Sequence, residues 1–440
     1  MQPIDLLIEA RWALPMDDVA VLEHAAVAID GGRIVGVGAA NALTGRFAPR
    51  ERLVRSSHVL LPGLVNAHTH AAMSLFRHVP IRGPLMQWLN ETIWPLERRC
   101  VNTQFVRSGT RLAMAEMLSA GITCFADMYF FPEEVARLAR ELHLRVVVGA
   151  PVVDARTPWA ADADEHLDRA ARLWDEYRGD PLILPCFAPH SPYAVRRETF
   201  VRLRRLIDQL DAPLMMHLHE TQTEVRDSLA AHGARPLAWL GDEGLLRPGF
   251  SAVHMNWLTE DDIDLAARTG ISVVHCPQSN QRLGSGICPV GALADAGVNV
   301  ALGTDGAANV GALDLLAEAR AACLLASLST HDPQALAAID ALRMATLGGA
   351  QAIGLAREIG SLTAGKAADL IAVDLSAPAC LPVGEPADAL VFAAGRDAVT
   401  DVWVNGRAMV RERRLLAFDA PELAGIARDA PARFAPGAAA

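Results

Sequence analysis

The chain has 440 residues, a formal net charge of −11 and 51 % hydrophobic residues. That apolar content supports a large buried core and excludes a disordered or collagen-like chain. The acidic balance argues against a general nucleic-acid binder, whose phosphate contacts need clustered Lys and Arg, but it leaves a small nucleoside substrate open. No apolar run free of strongly polar residues reaches the roughly 18 needed to span a bilayer. The first residues carry Asp5 and Glu9 where a signal peptide would be basic and then apolar. A cytoplasmic protein with no membrane or nucleic-acid partner is expected. The seven cysteines are dispersed, form no Cys-x-x-Cys pair and read as free core thiols in a reducing compartment.

Taken in chain order, the first region holds strand-like pieces: DLLIEARWAL, then VAVLEHAAVAIDGGRIVGVGA, with Gly31-Gly32 as a tight hairpin turn. The last region resembles it. KAADLIAVDL and AVTDVWVNGRAMV alternate in the same way, the second turning at Asn405-Gly406. Residues 1–57 and 364–415 are therefore expected to form one composite β-sandwich domain. Between them, residues 58–363 alternate apolar strands with amphipathic helices. The strands are VLLPGLVNAHTH, ITCFADMY, RVVVGAP, LILPCFAPH, PLMMHLHE, FSAVHMN, ISVVHCP and VNVALGTD. Eight such units in series predict an α/β fold, a (β/α)8 TIM barrel, whose chemistry sits at the carboxyl ends of the strands. An open doubly wound sheet would need a Gly-rich phosphate turn after the first strand, and His68-Thr69-His70 stands there instead. Residues 416–440 are read as a helix followed by a frayed Pro/Gly/Ala tail.

His68 and His70 close the first barrel strand. At spacing two, both side chains of a strand face one side, so two imidazoles aimed into the barrel mouth form half of a metal site. A pair of hydrogen-bonded structural histidines would have the same spacing. The fifth strand ends His217-Leu218-His219-Glu220. Either histidine could supply the third ligand on spacing alone, with Glu220 beside it as a proton carrier. The sixth strand ends at His254 and the eighth at Asp305, a hard oxygen donor able to complete a His₃Asp shell. Taken singly, an Asp at a strand end is more often a helix cap. The reading rests on convergence: His68, His70, His217, His254 and Asp305 all fall at strand ends on one rim. The third and fourth strands offer no bridging Lys or Glu, so one metal is the simpler reading.

These residues resemble a known family. PGLVNAHTH, HLHE, HCPQSNQRLGSG and LGTDGAA are similar to the amidohydrolase superfamily, in its branch of mononuclear deaminases and triazine hydrolases. Within that branch, NAHTHAAMSLFRHVPIRGPLMQWLNETIWPLERR looks most like 5′-methylthioadenosine/S-adenosylhomocysteine deaminases. The resemblance implies His68, His70, His217 and Asp305 as metal ligands, choosing His217 over His219. It implies Glu220 as the catalytic carboxylate and His254 as the residue that meets the attacking water or the developing oxyanion. Glu97 matches a carboxylate for the ribose hydroxyls, and His190 a substrate-binding histidine. Arg156 is the nearest candidate for an arginine that meets an amino-acid tail. One divalent ion per subunit, Zn²⁺ by family expectation, and a homo-oligomer, dimer or tetramer, are implied too. Fe²⁺ or Mn²⁺ would suit the same ligands.

Trp88 and Trp94 fall in the loop after the first strand and could stack on a base or line a thio-substituent pocket. Lid packing explains them as well. Ser279 and Asn280 are candidates for the site wall, and His275 for a structural role. The expected function is hydrolytic deamination of 5′-methylthioadenosine, with S-adenosylhomocysteine or adenosine as further substrates. A triazine- or guanine-type amidohydrolase is the alternative, and a non-catalytic barrel is a third, which the complete ligand set speaks against.

Overall fold

Each apolar run of the middle region pairs in parallel with the next, and this ordering builds the larger part of the protein. In the computed structural model, which describes residues 1–17 and 20–434, sixteen strands form two sheets of eight. The chain opens with β1 (Gln2–Ala13), β2 (Leu22–Asp30), β3 (Arg33–Ala39) and β4 (Phe47–Pro62). The barrel strands follow: β5 (Leu64–Thr69), β6 (Ile122–Met128), β7 (Arg145–Val152), β8 (Ile183–Pro189), β9 (Leu214–Leu218), β10 (Phe250–His254), β11 (Ser272–His275) and β12 (Asn299–Leu302). The chain returns through β13 (Leu370–Asp374), β14 (Val399–Val404), β15 (Arg407–Arg411) and β16 (Arg414–Leu415).

β5 to β12 lie in sequence order in one sheet, with parallel registers running from β7 through β12. Helices connect successive strands, as the (β/α)8 expectation requires. Residues Ile122–Met128 and Arg145–Val152 are buried along their whole length, which is why they read as continuous apolar runs rather than alternating ones. The helices are one-sided. In Pro132–Leu142 the buried positions Val135, Ala136, Leu138, Ala139 and Leu142 form a single stripe. The helices expected from VRSGTRLAMAEMLSA, RETFVRLRRLIDQL and EDDIDLAARTG are Thr103–Ser119, Arg197–Leu210 and Glu260–Thr269. The last of these starts on a full capping box between Thr259 and Asp262.

The termini build the second sheet, in the order β16-β15-β14-β13-β4-β1-β2-β3. β1 and β4 run parallel; the other pairs are antiparallel. One buried cluster gathers Leu6, Ile8, Val27, Leu60, Leu370 and Trp403, and another Ile4, Leu7, Ala28 and Phe47. Both expected hairpin turns are present. Gly31 and Gly32 have φ of 55° and 78°, Asn405 and Gly406 have 50° and 75°, the left-handed pair that a two-residue turn demands. A Cβ on Gly32 would stand 2.7 Å from the Asn405 carbonyl, so that position needs glycine for space as well.

The run VLLPGLVNAHTH is two strands rather than one. Val59–Pro62 finishes β4 and pairs with β13, Gly63 breaks the run, and Leu64 starts β5. A Cβ on Gly63 would lie 2.0 Å from the Thr123 hydroxyl, so glycine is required there by packing. By contact density the chain divides into one unit of Met1–Asn66, Ala115–Cys124 and Asp314–Ala417, and a second of Ala67–Met114, Phe125–Leu313 and Phe418 onward. The expected C-terminal helix is Ala420–Phe434; the Pro/Gly/Ala tail beyond it lies outside the described residues. Among the described residues no helix is long and apolar enough to cross a membrane, and none of the seven cysteines is in a disulfide.

Candidate active site

The strand ends do not finish as flat strands. His219, His254, Met255 and Asp305 have φ of 52°, 78°, 50° and 63°, left-handed backbone that non-glycine residues adopt at a cost. Each kink turns its segment at the carboxyl rim. Alternation is therefore lost after Leu218, and His217 and His219 do not share a side. The Nε2 atoms of His217 and His68 lie 3.2 Å apart, whereas both nitrogens of His219 are spent on backbone. Its Nδ1 donates to Trp257 O at 3.0 Å, and its Nε2 accepts from Leu237 N at 3.0 Å.

His68, His70 and His217 each offer a ligand atom within 4.8 Å of the others. Asp305 Oδ1 lies 3.2 Å from His70 Nε2 and 3.8 Å from His68 Nε2. The far sides of the rings are engaged. His70 Nδ1 donates to Met128 O at 2.6 Å, His217 Nδ1 donates to His190 O at 2.8 Å, and His68 Nδ1 faces the Met215 sulfur at 3.2 Å. With Nδ1 facing these partners, Nε2 of His68 and His217 presents a lone pair to the common centre, and His70 Nε2 would do the same once its proton is displaced, the tautomer a metal-ligating histidine needs. Burial and the neighbouring imidazoles hold His68 and His217 well below the usual histidine pKa, so both are neutral. Burial opposes the charges of His70 and Asp305, but their mutual hydrogen bond and attraction prevail. His70 is pushed up to about 9, and the Asp305 carboxyl is held well below the usual carboxylate range. Three neutral-capable imidazoles and one firmly ionised carboxylate suit a divalent ion of Zn²⁺ type.

Asp305 is fixed by donors from the short helices Pro277–Leu283 and Ala307–Val310 and from the backbone of Gly306. Its Oδ2 accepts from Ser279 Oγ at 2.6 Å and Asn309 Nδ2 at 2.9 Å, and its Oδ1 from Gly306 N at 2.7 Å. Opposite it, His254 Nε2 lies 3.8 Å from Glu220 Oε2, and His254 Nδ1 donates to Asn280 Oδ1 at 3.0 Å. Ser285 Oγ donates to Glu220 Oε1 at 3.1 Å. Burial raises Glu220 above the ordinary carboxylate range, partly offset by His254. A carboxyl so placed, beside His254 and on the cavity, is in position to take a proton and return it.

A cavity of about 1040 Å³ opens on this cluster. His70, His190, His217, Glu220, His254 and Asp305 line it together with Trp88, Trp94, Glu97 and Arg156; His68 is fully buried. Glu97 is buried, and the loss of solvent raises it to about 7 against the pull of Tyr129 and His70. His190 is lowered to about 4 by burial. Trp88, in the lining, donates its indole N–H to Pro80 O at 3.2 Å and so braces its own segment. Arg156 is exposed. Ten of the sequence-derived candidates thus border one space, while His68, Ser279 and Asn280 are buried behind it. His275 is buried away from that lining, and burial lowers it to about 3.

Other contributors carried no signal strong enough to be singled out. Asp127 accepts from Ala71 N at 2.6 Å and fixes the turn after His70. Asn256 holds the Glu220 carbonyl at 3.0 Å and Asn280 at 2.8 Å. Asn309 sits in the short helix Ala307–Val310 and Ser285 in a loop, and only the fold brings them to the site.

Residues 59–409 match the model of the Amidohydrolase family. The chain belongs to that family. It is 42 % identical over 422 residues to a 5-methylthioadenosine/S-adenosylhomocysteine deaminase of Saccharophagus degradans, covering 96 % of this chain and 95 % of that one. A crystal structure of an adenosine deaminase from Xanthomonas campestris with bound zinc superposes with a TM-score of 0.97 at 47 % identity, covering 98 % and 99 % of the two chains. The zinc complex of an atrazine chlorohydrolase from Arthrobacter aurescens shares the fold, with a TM-score of 0.90 at 24 % identity over 97 % and 99 %.

Proposed function

We propose that this amidohydrolase is a zinc-dependent hydrolytic deaminase that converts 5′-methylthioadenosine to its inosine analogue and ammonia, with S-adenosylhomocysteine or adenosine as further substrates. The observation that carries the reading is the convergence of His68, His70, His217 and Asp305 beside the Glu220–His254 pair on one cavity. The names of the related deaminases and the zinc of the Xanthomonas campestris structure support it. We assign the chemistry to residues 58–363 and none of it to segments 1–57 and 364–415. A cytoplasmic homo-oligomer, dimer or tetramer, belongs to the same reading.

His68, His70, His217 and Asp305 would hold the ion, whose chemistry is to lower the pKa of water from 15.7 toward about 7. Glu220 takes the proton of the attacking water and delivers it to the purine ring nitrogen next to the amino-bearing carbon. That carbon becomes electrophilic, hydroxide adds, and a tetrahedral centre forms. His254, oriented by Asn280, faces the developing oxygen charge. Asp305 passes the new hydroxyl proton to the departing ammonia. The carbonyl and the protonated ring nitrogen of the product remain. Glu97 accepts from the ribose hydroxyls, His190 borders the base, Trp88 lines the cavity wall, and exposed Arg156 is available to a charged tail.

The test is an ammonia-release screen over methylthioadenosine, S-adenosylhomocysteine, adenosine, guanine and a chlorotriazine, with metal analysis of the same protein. Release from methylthioadenosine with one zinc per chain is expected. Turnover of guanine or the triazine alone would replace the nucleoside reading with the alternative. A metal-free chain inert toward every compound would leave a binding protein.

A further inference from the structure

Glu224 is buried, 7 % exposed, in the first turn of the helix Gln222–His232, which Thr221 caps. Its two oxygens leave the helix. One accepts from His219 N at 2.8 Å and the other from Glu220 N at 2.8 Å. In an ordinary Thr-x-x-Glu cap the glutamate bonds the N–H of the cap residue itself. Here it reaches past Thr221, whose hydroxyl accepts from Glu224 N at 3.1 Å. The two amides it holds form the left-handed kink that follows β9 and ends at the catalytic carboxylate. The same kink is pinned by the His219 ring between Trp257 O and Leu237 N, and by Asn256 on the Glu220 carbonyl. A carboxylate serves two N–H groups at once because it has two acceptor oxygens, whereas an amide oxygen and an amide nitrogen cannot both accept.

We propose that Glu224 is a positioning residue: it clamps the His219–Glu220 backbone so that the Glu220 side chain stands against His254 and the cavity, which sets where the proton is taken up and delivered. The inference rests on the reading of Glu220 as proton carrier. It does not require Glu224 to touch substrate or metal. A change there should move kcat and spare both KM and zinc content.

The experiment uses the zinc-loaded full chain with methylthioadenosine as probe, comparing Glu224→Gln and Glu220→Gln with the parent. For Glu224→Gln a fall in kcat of about 10- to 100-fold is expected, since a small misplacement of an acid–base group costs that much. KM should stay within about threefold, the range of a site whose substrate contacts are intact, with zinc per chain unchanged. A Glu224→Gln kcat within twofold of the parent, or a loss of activity that tracks loss of zinc, overturns the proposal. If Glu224→Gln shows no cooperative melt, Glu224→Asp, which keeps the charge but is too short for both amides, takes its place under the same criteria. If neither variant folds, the residue is a folding requirement and the proposal fails. Full activity in Glu220→Gln removes the underlying reading as well. An inactive Glu220→Gln beside fully active Glu224 variants leaves that reading standing and removes only the clamp.

Discussion

His68 Nε2 and His217 Nε2 face each other at 3.2 Å, while His217 Nδ1 is committed to the His190 carbonyl at 2.8 Å. Two lone pairs at that distance repel unless a cation sits between them. Chelation is therefore expected to lower the melting temperature by several degrees, since a ligand at about 100 times its Kd contributes about 2.7 kcal/mol. Adding Zn²⁺ back should restore it. His217→Ala should melt at the same temperature with and without chelator. Calorimetry on the loaded and stripped proteins measures both.

Glu97 gives a pH signature. Burial raises it to about 7, so it is protonated in the folded protein where an exposed carboxyl would be ionised. Only the ionised form offers both oxygens to a diol. KM for methylthioadenosine is expected to rise about three- to tenfold as pH falls from about 8 to about 6. Glu97→Gln should raise KM at about pH 8 by tenfold or more, as for a lost hydrogen bond to a charged group, and flatten the pH dependence. The stability sign is opposite to that of a paired carboxylate: this group stabilises the fold at low pH and the contribution is lost as pH rises through about 7.

Ser279 donates to Asp305 Oδ2 at 2.6 Å and in turn accepts from Asn309 at 2.7 Å. Ser279→Ala leaves the ligand set complete but removes one of the three donors that orient the carboxylate. Zinc affinity is expected to fall about 10- to 100-fold, the usual effect of losing such a partner. Competition against a metal indicator reads it directly.

Gly303 lies against β5. A Cβ there would stand 2.9 Å from His68 O and 3.0 Å from its N and Cβ. Gly303→Ala must push the backbone of His68 and Asp305 apart, because the obstacle is main chain rather than a flexible side chain. Lower zinc content together with a lower melting temperature is expected. A variant with normal zinc and normal melting would show that β5 can shift freely.

The eight barrel strands and their four site-bearing ends were legible because buried parallel strands are continuous apolar runs, and ligand-type residues interrupt them abruptly. The choice between His217 and His219 was not legible from spacing. It depends on the φ of 52° at His219, and nothing in HLHE announces that a non-glycine residue will turn left-handed. Gly63 was hidden for a similar reason: its need for space comes from Thr123, 60 residues away in the chain. Ser279 and Asn280 were visible as candidates, yet their partners Asp305 and His254 lie 26 residues away in each case, so their roles wait on the tertiary fold. Glu224 drew no notice in the sequence, and only the fold shows its carboxylate reaching upstream of the helix it opens.

The kinked rim has a consequence for anyone who would transplant this chemistry. The donor atoms of His254 and Asp305 are aimed by backbone at φ of 78° and 63°, not by strand alternation. Copying the side chains onto the regular strand ends of another barrel would leave them aimed elsewhere. A successful graft has to carry the bends along with their fastenings, Asn256, Ser279, Asn280 and Asn309 among them.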